Sequence, residues 1–420
     1  MTSVRSAPVP VPRIGARAGL ISVWLVVYSN GLLFFIARQG LDRPGTWEGP
    51  VLRPAIVLST LVGVGLVVLD GQRMTGARLR SVSRVAFGAA TGFGVWAAVS
   101  AVWSLDPDIS RWWGIVYIGL PCVAWVIADS SAAQIRSGVA LGSGVLVVLS
   151  LVVVVIDPAV GTDINDDWRG VMTNRNGLAP ICGVALFAGL ALAASRRWVV
   201  GVGLSTVALI GLLGSGSRTA WLALAFGCGV ATIIVGARRA FLREPRPWIP
   251  RLMFGVAAGG LFGLAAGVAR LWDDPTFGQR RAIWRLVGDH IADAPVVGNG
   301  FAAFWQVPEL HTDPLLQRGS AHGSVPEVLL GTGVVGLLLW ATVVVLAVVG
   351  VGRAVWREPG VESWFWVALV AFLVVENLTE SFILWFSYNW ILLIAAALRF
   401  GVVAGSRPVR TPERVPALAD

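Results

Sequence analysis

The sequence contains no lysine: all 33 of its basic residues are arginines. Any anion it neutralises with a permanent cation must therefore be met by a guanidinium. Charge of either sign is sparse, at 14% of 420 residues, while 56% are hydrophobic and the mean hydropathy is +0.74. That balance excludes an ordinary water-soluble globular domain. Cysteine is nearly absent as well. Cys122, Cys182 and Cys228 all fall inside apolar runs, which excludes a disulfide frame or a thiolate metal site and leaves them as small packing residues.

What is plentiful is apolar sequence in membrane-length runs. A spanning helix needs about 20 largely apolar residues. Roughly a dozen such runs are separated by charged or Gly/Pro-rich breaks: 20–37, 54–69, 85–103, 112–128, 138–156, 176–194, 198–213, 219–235, 252–269, 325–350, 364–385 and 388–403. The pattern predicts an all-α polytopic membrane protein of about 12 transmembrane helices, with short helices in a large extracytoplasmic loop. The organisation expected is a tail at 1–18, nine spans over 19–269, the large loop at 270–324, three spans over 325–404 and a tail at 405–420.

A net charge of +9 could suggest nucleic acid, but in such a chain the distribution of charge among loops is the informative quantity. With the N-terminus inside, the tails and inner loops carry 20 arginines and the opposite loops 12. Five of those 12 lie in the long loop, which weighs little in orientation. Both termini are thus expected in the cytoplasm, and the partner is the plasma (inner) membrane rather than nucleic acid. The first run, preceded by Arg13 and Arg17, lacks a clean small-residue cleavage pattern and reads as an anchor. The inner stretch ARRAFLREPRPWIPR suits anionic headgroups.

The expected outer face holds the candidate chemistry. In WSLDPDISRW, Asp106 and Asp108 have the spacing of a cation-binding D-x-D, or of a simple turn at a helix end. In TDINDDWRGVMTNRNGLAP, Arg169, Asn174, Arg175 and Asn176 cluster before a span, suited to an anionic or sugar ligand, or, for Asn176, to capping the helix. Arg218, in LLGSGSRTAWLALA, sits in a very short turn between two apolar runs. A guanidinium there either serves function or snorkels to lipid phosphates. In the long loop, Ile283, Leu286, Val287 and Ile291 have helical spacing, and the same helix carries Arg280, Arg281, Arg285 and Asp289. His290 and His311 have no evident partner, whereas His322, in RGSAHGSVPE, stands at the mouth of a span with Glu327 just beyond. Glu376 and Glu380 lie one turn apart within an apolar run, where carboxylates need cations, and the outer-loop arginines are the nearest supply.

Taken together, WSLDPDIS, RGVMTNRNGLA, GSGSRTAWLALA, RRAIWRLVGDHIADAPVVGNGFAAF and AHGSVPEVLLGTGVVGLL resemble, in order and spacing, the bacterial O-antigen ligase family with its related polysaccharide polymerases. The similarity covers roughly residues 85–350. Gly323 and Gly331 stand where that family often has asparagine and an acidic residue. The resemblance implies a metal-independent, inverting glycosyltransferase without cofactor. It would move a glycan from an undecaprenyl diphosphate carrier to a glycan, lipid or protein acceptor on the outer face of the membrane. It further implies His322 as base and Arg218 and Arg280 as stabilisers of the diphosphate, with Arg281 as the alternative to Arg280; from the residues themselves, Arg281, Arg169, Arg175, Asn176 and Glu327 are expected to bind substrate. A transporter or flippase of lipid-linked glycans is the alternative, but polar groups gathered on one side and no internal repeat speak against it. A membrane scaffold would leave His322 and the outer arginines unexplained.

Overall fold

The computed structural model describes residues 15–29, 31–40, 52–73, 84–163, 165–243, 275–307, 310, 313–316, 319–385 and 387–400. Among these every regular element is a helix: α1 (Ala16–Tyr28), α2 (Gly31–Gly40), α3 (Leu52–Arg73), α4 (Arg84–Val99), α5 (Pro107–Asp129), α6 (Ala132–Ile156), α7 (Pro158–Gly161), α8 (Arg175–Ala194), α9 (Trp198–Gly214), α10 (Arg218–Arg243), α11 (Pro275–Asp293), α12 (Ser324–Arg357), α13 (Val361–Thr379), α14 (Phe382–Trp385) and α15 (Ser387–Phe400). Seven segments are long and apolar enough to cross a membrane, and four apolar helices are shorter. The expected run at 252–269, His311 and part of the arginine-rich inner stretch lie outside the described residues.

Two expected spans are interrupted. The run 20–37 breaks after Tyr28, where the Ser29 N–H closes on the Leu25 carbonyl and its hydroxyl on that of Val26. The run 364–385 breaks at Glu380, whose extended backbone (φ −140°, ψ 152°) ends α13. Both breaks fall at short polar stretches, YSNG and ENLTES, enclosed by longer apolar runs, and local hydrogen bonds end the helix there.

Starts are set by side-chain caps. Asp106 accepts from the N–H groups of Asp108 and Ile109 with Pro107 in the first turn, Ser131 and Gln134 form a capping box, and Asn174 accepts from the Gly177 N–H. Helices then meet through small residues. A Cβ on Gly94 would lie 2.4 Å from the Ile118 backbone, and one on Gly142 would lie 2.8 Å from the Ser22 carbonyl, so α4 reaches α5 and α6 reaches α1 by backbone contact. Beside the Ser131 cap, at the end of the bundle away from the Asp106 and Asn174 caps, Arg399 donates to Glu362 (2.6 and 2.8 Å) and to the carbonyls of Ala128 and Ser130, fastening α15 to α13 and α5.

Helix α12 is broken inside its apolar length at Gly333 (φ 64°, ψ −165°). The freed backbone groups pair with the segment that follows α11: Val334 N–H to the Pro295 carbonyl (2.9 Å), Asn299 N–H to Leu330 (2.8 Å) and Gly300 N–H to Gly331 (3.0 Å). The Trp96 indole takes the Thr332 carbonyl at 2.9 Å. Irregular backbone is thus satisfied by protein, the condition for tolerating it at this depth. A Cβ at Gly333 would stand 2.2 Å from the Val296 carbonyl oxygen and would also face a left-handed φ. Gly333→Ala is expected to cost on the order of 3 kcal/mol, read as a lowered unfolding midpoint in detergent. An unchanged midpoint would mean that the break is not built into the fold.

Candidate functional site

Four elements converge on one carboxylate. Helix α11 buries Ile283 and Val287, and a residue one turn before Trp284 on that helix, Arg280, is turned inward with it at 7% exposure. Because α13 stops at Thr379, Glu380 leaves the helical path and meets this guanidinium, Arg280 Nη2 to Glu380 Oε1 at 2.5 Å. Asn176, in the first turn of α8, donates to the same oxygen at 2.9 Å. The other oxygen, Oε2, lies 3.3 Å from His322 Nδ1. Both members of the ion pair have side chains 9% exposed, so each charge depends on the other.

The His322 backbone is left-handed (φ 47°), an unusual setting for a non-glycine residue, and its neighbours hold it there. The Ala321 N–H donates to Glu327 Oε2 (2.8 Å), the Ala321 carbonyl accepts from the Trp284 indole (2.7 Å), and the Gly323 N–H donates to the Ser381 hydroxyl (3.2 Å). Ser324 opens α12 by donating to Asn377 Oδ1 (2.6 Å), and the Asn377 Nδ2 group donates to Asn389 Oδ1 (2.6 Å). A carboxylate on Nδ1 selects the tautomer with the proton there, leaving Nε2 with its lone pair. Nε2 has no hydrogen-bond partner among the described residues although it is shielded from solvent. The arrangement is that of an oriented base.

The residues singled out by sequence divide into distinct groups. His322, Arg280 and Asn176 gather on Glu380, and Arg175, next to Asn176, is close enough to act on the Glu380 charge while bonding Asp167. Asn174, rather than Asn176, caps α8, which frees Asn176 for the carboxylate. Asp167 belongs to a loop seated on the turn before α10: the Trp168 N–H donates to the Gly214 carbonyl, and a Cβ on Gly216 would lie 2.3 Å from Asp167 Oδ1. Arg218 opens α10 beside that turn with its side chain exposed, on the same rim as Arg175. Arg169 lies in this loop with Nε on the Val160 carbonyl. Arg281 is half-buried on α11, whereas Arg285 and Asp289 are exposed. Glu327 is 4% exposed and accepts from the Trp305 indole as well as from Ala321, so its carboxylate holds the His322 segment in place. Asp106 is occupied by its own helix, and Asp108 pairs with Arg111 at 3.2 Å.

The residue at the centre, Glu380, was legible only as a carboxylate in need of a cation. Its role depends on the helix break, which falls within the run 364–385. Trp284, Ser381 and Asn377 were not singled out, since indole, hydroxyl and amide groups in apolar runs look like packing.

Residues 203–341 match the family model described as O-Antigen ligase. Over that segment the chain is similar to the O-antigen ligases. It is also 25% identical over 321 residues to the exopolysaccharide production protein ExoQ of Rhizobium meliloti (strain 1021), covering 70% of this chain and 72% of the relative. The family match contains Arg218, Arg280, Arg281, His322 and Glu327, while Asn176 and Glu380 reach the same centre from outside it. These similarities support a membrane role in glycan transfer.

Proposed function

We propose that the protein is a metal-independent glycosyltransferase that takes a glycan from an undecaprenyl diphosphate carrier and joins it to an acceptor on the outer face of the plasma membrane, as a ligase or a polymerase. The observation that carries this reading is the His322–Glu380–Arg280 cluster, with an imidazole Nε2 at the mouth of α12 that has no hydrogen-bond partner among the described residues. The acceptor hydroxyl attacks the anomeric carbon and gives its proton to His322 Nε2. The bond from that carbon to the diphosphate oxygen breaks, and the carrier leaves with the electron pair. Glu380 orients the ring and stabilises the imidazolium as it forms, the part a carboxylate plays behind a histidine base.

Charge builds on the leaving diphosphate, where guanidiniums act as bidentate donors. One bond to Glu380 leaves Arg280 further N–H groups for this task, and Arg218, Arg175 and Arg281 supply cations on the same rim. Attack opposite the leaving group inverts the anomeric centre.

The test is transfer by the purified protein in nanodiscs from an undecaprenyl-diphosphate-linked glycan. Carrier release coupled to a new glycosidic bond is expected, undiminished by excess chelator. Movement of intact lipid-linked glycan across the bilayer without bond cleavage would identify a transporter instead. Loss of activity with chelator would return attention to a cation-assisted reaction.

A further inference from the structure

A second feature lies at the far end of the molecule and is independent of the proposed reaction. Helix α8 starts at the Glu380 centre and runs 20 residues, a length of about 30 Å. The turn that follows it, Ser195 to Arg197, is therefore at the opposite membrane face. There α6, the end of α8 and α9 leave a cavity of about 750 Å³, a size suited to a substantial small-molecule ligand. Its wall is almost wholly apolar, with Leu141, Val148 and Leu204 along its length and Gly144 making room where a side chain would crowd Leu204. Val148 is 47% exposed, so the hollow opens sideways to the lipid.

The mouth of this hollow is cationic. Arg196, Arg197 and Trp198 line it, all exposed, and Arg197 is steadied by a bond from Nη1 to the Ser137 hydroxyl (3.2 Å). Arg196 is held with φ 65°, an unfavourable backbone for a residue with a side chain. Arg136 lies near enough to Arg197 for the two to repel, and its buried Nε has no partner among the described residues. The carboxylate within range of Arg136, Glu362, is already engaged by two N–H groups of Arg399. An apolar slot with two guanidiniums and an interfacial tryptophan at its lip, and a third guanidinium close behind them, matches one ligand chemistry, an acyl chain bearing a phosphate headgroup.

We infer that this cavity is a binding site for an anionic phospholipid of the leaflet opposite the Glu380 centre, with an acyl chain along α6 and α9 and the phosphate between Arg196 and Arg197. The full-length protein, equilibrated in detergent with equal amounts of phosphatidylglycerol and phosphatidylcholine, tests it by native mass spectrometry of the retained lipid. The expected preference for phosphatidylglycerol is about thirty-fold, the equivalent of about 1 kcal/mol for each of the two arginines. R196Q/R197Q is expected to bring the ratio close to one, and Val148→Trp, which fills the slot from its lipid-facing side, to remove the retained lipid with an unchanged unfolding midpoint. Equal retention of both lipids by the unaltered protein, an undiminished preference in R196Q/R197Q, or undiminished retention in Val148→Trp would overturn the assignment.

Discussion

Replacing His322 by alanine is expected to reduce glycan transfer by a factor of about 10² to 10⁴, the range over which a positioned general base contributes. Protein levels and unfolding midpoint should stay close to normal. The backbone at His322 is held through its neighbours, by Glu327 and Trp284 at Ala321 and by Ser381 at Gly323, so removing the imidazole leaves those bonds in place. The deletion even relieves little packing, since the ring is partly exposed. The measurement is single-turnover transfer with saturating donor, which separates the proton-transfer step from carrier binding. Transfer within a few-fold of the unaltered rate would remove His322 from the reaction. A Glu380→Gln variant should fall in the same direction, because the amide can still touch Nδ1 but no longer stabilises the imidazolium.

The second large effect concerns stability. Arg280→Met is expected to destabilise the protein by about 3–5 kcal/mol, because Glu380 is then buried without its counter-ion. The double change Arg280→Met with Glu380→Gln should recover much of that loss, since both charges have been withdrawn together. Two side chains 9% exposed make the comparison meaningful, as solvent cannot replace the missing partner. Equilibrium unfolding of the two single variants and the double variant closes the cycle. Additive losses would show that the pair is not coupled and that Glu380 is satisfied by Asn176 and His322 alone. Activity is expected to be absent in all three, so stability and catalysis are read separately.

How far the sequence leads is clear from particular residues. Helix α11 was visible in the spacing of Ile283, Val287 and Ile291, and the pairing of an outer-loop arginine with Glu380 followed from the cost of an isolated charge in lipid. The choice between neighbours was not visible. Arg280 faces the core and Arg285 the solvent because α11 packs on one stripe, and adjacent residues on a helix point about 100° apart. Likewise Asn174 caps α8 and Asn176 does not, a distinction set by where the helix begins.

By itself the sequence determined that this is a helical membrane protein, that any strong cation in it is an arginine, and that its polar chemistry gathers in the segments around Arg175, Arg218, Arg280 and His322. These follow from composition and period, which act locally along the chain. Only the tertiary structure decided that Glu380 joins Arg280, Asn176 and His322, that α12 breaks at Gly333, and that a cationic slot opens at Arg196. Each of those depends on groups more than 30 residues apart or on a hydrogen bond that ends a helix within an apolar run, and neither kind of information is carried by hydropathy.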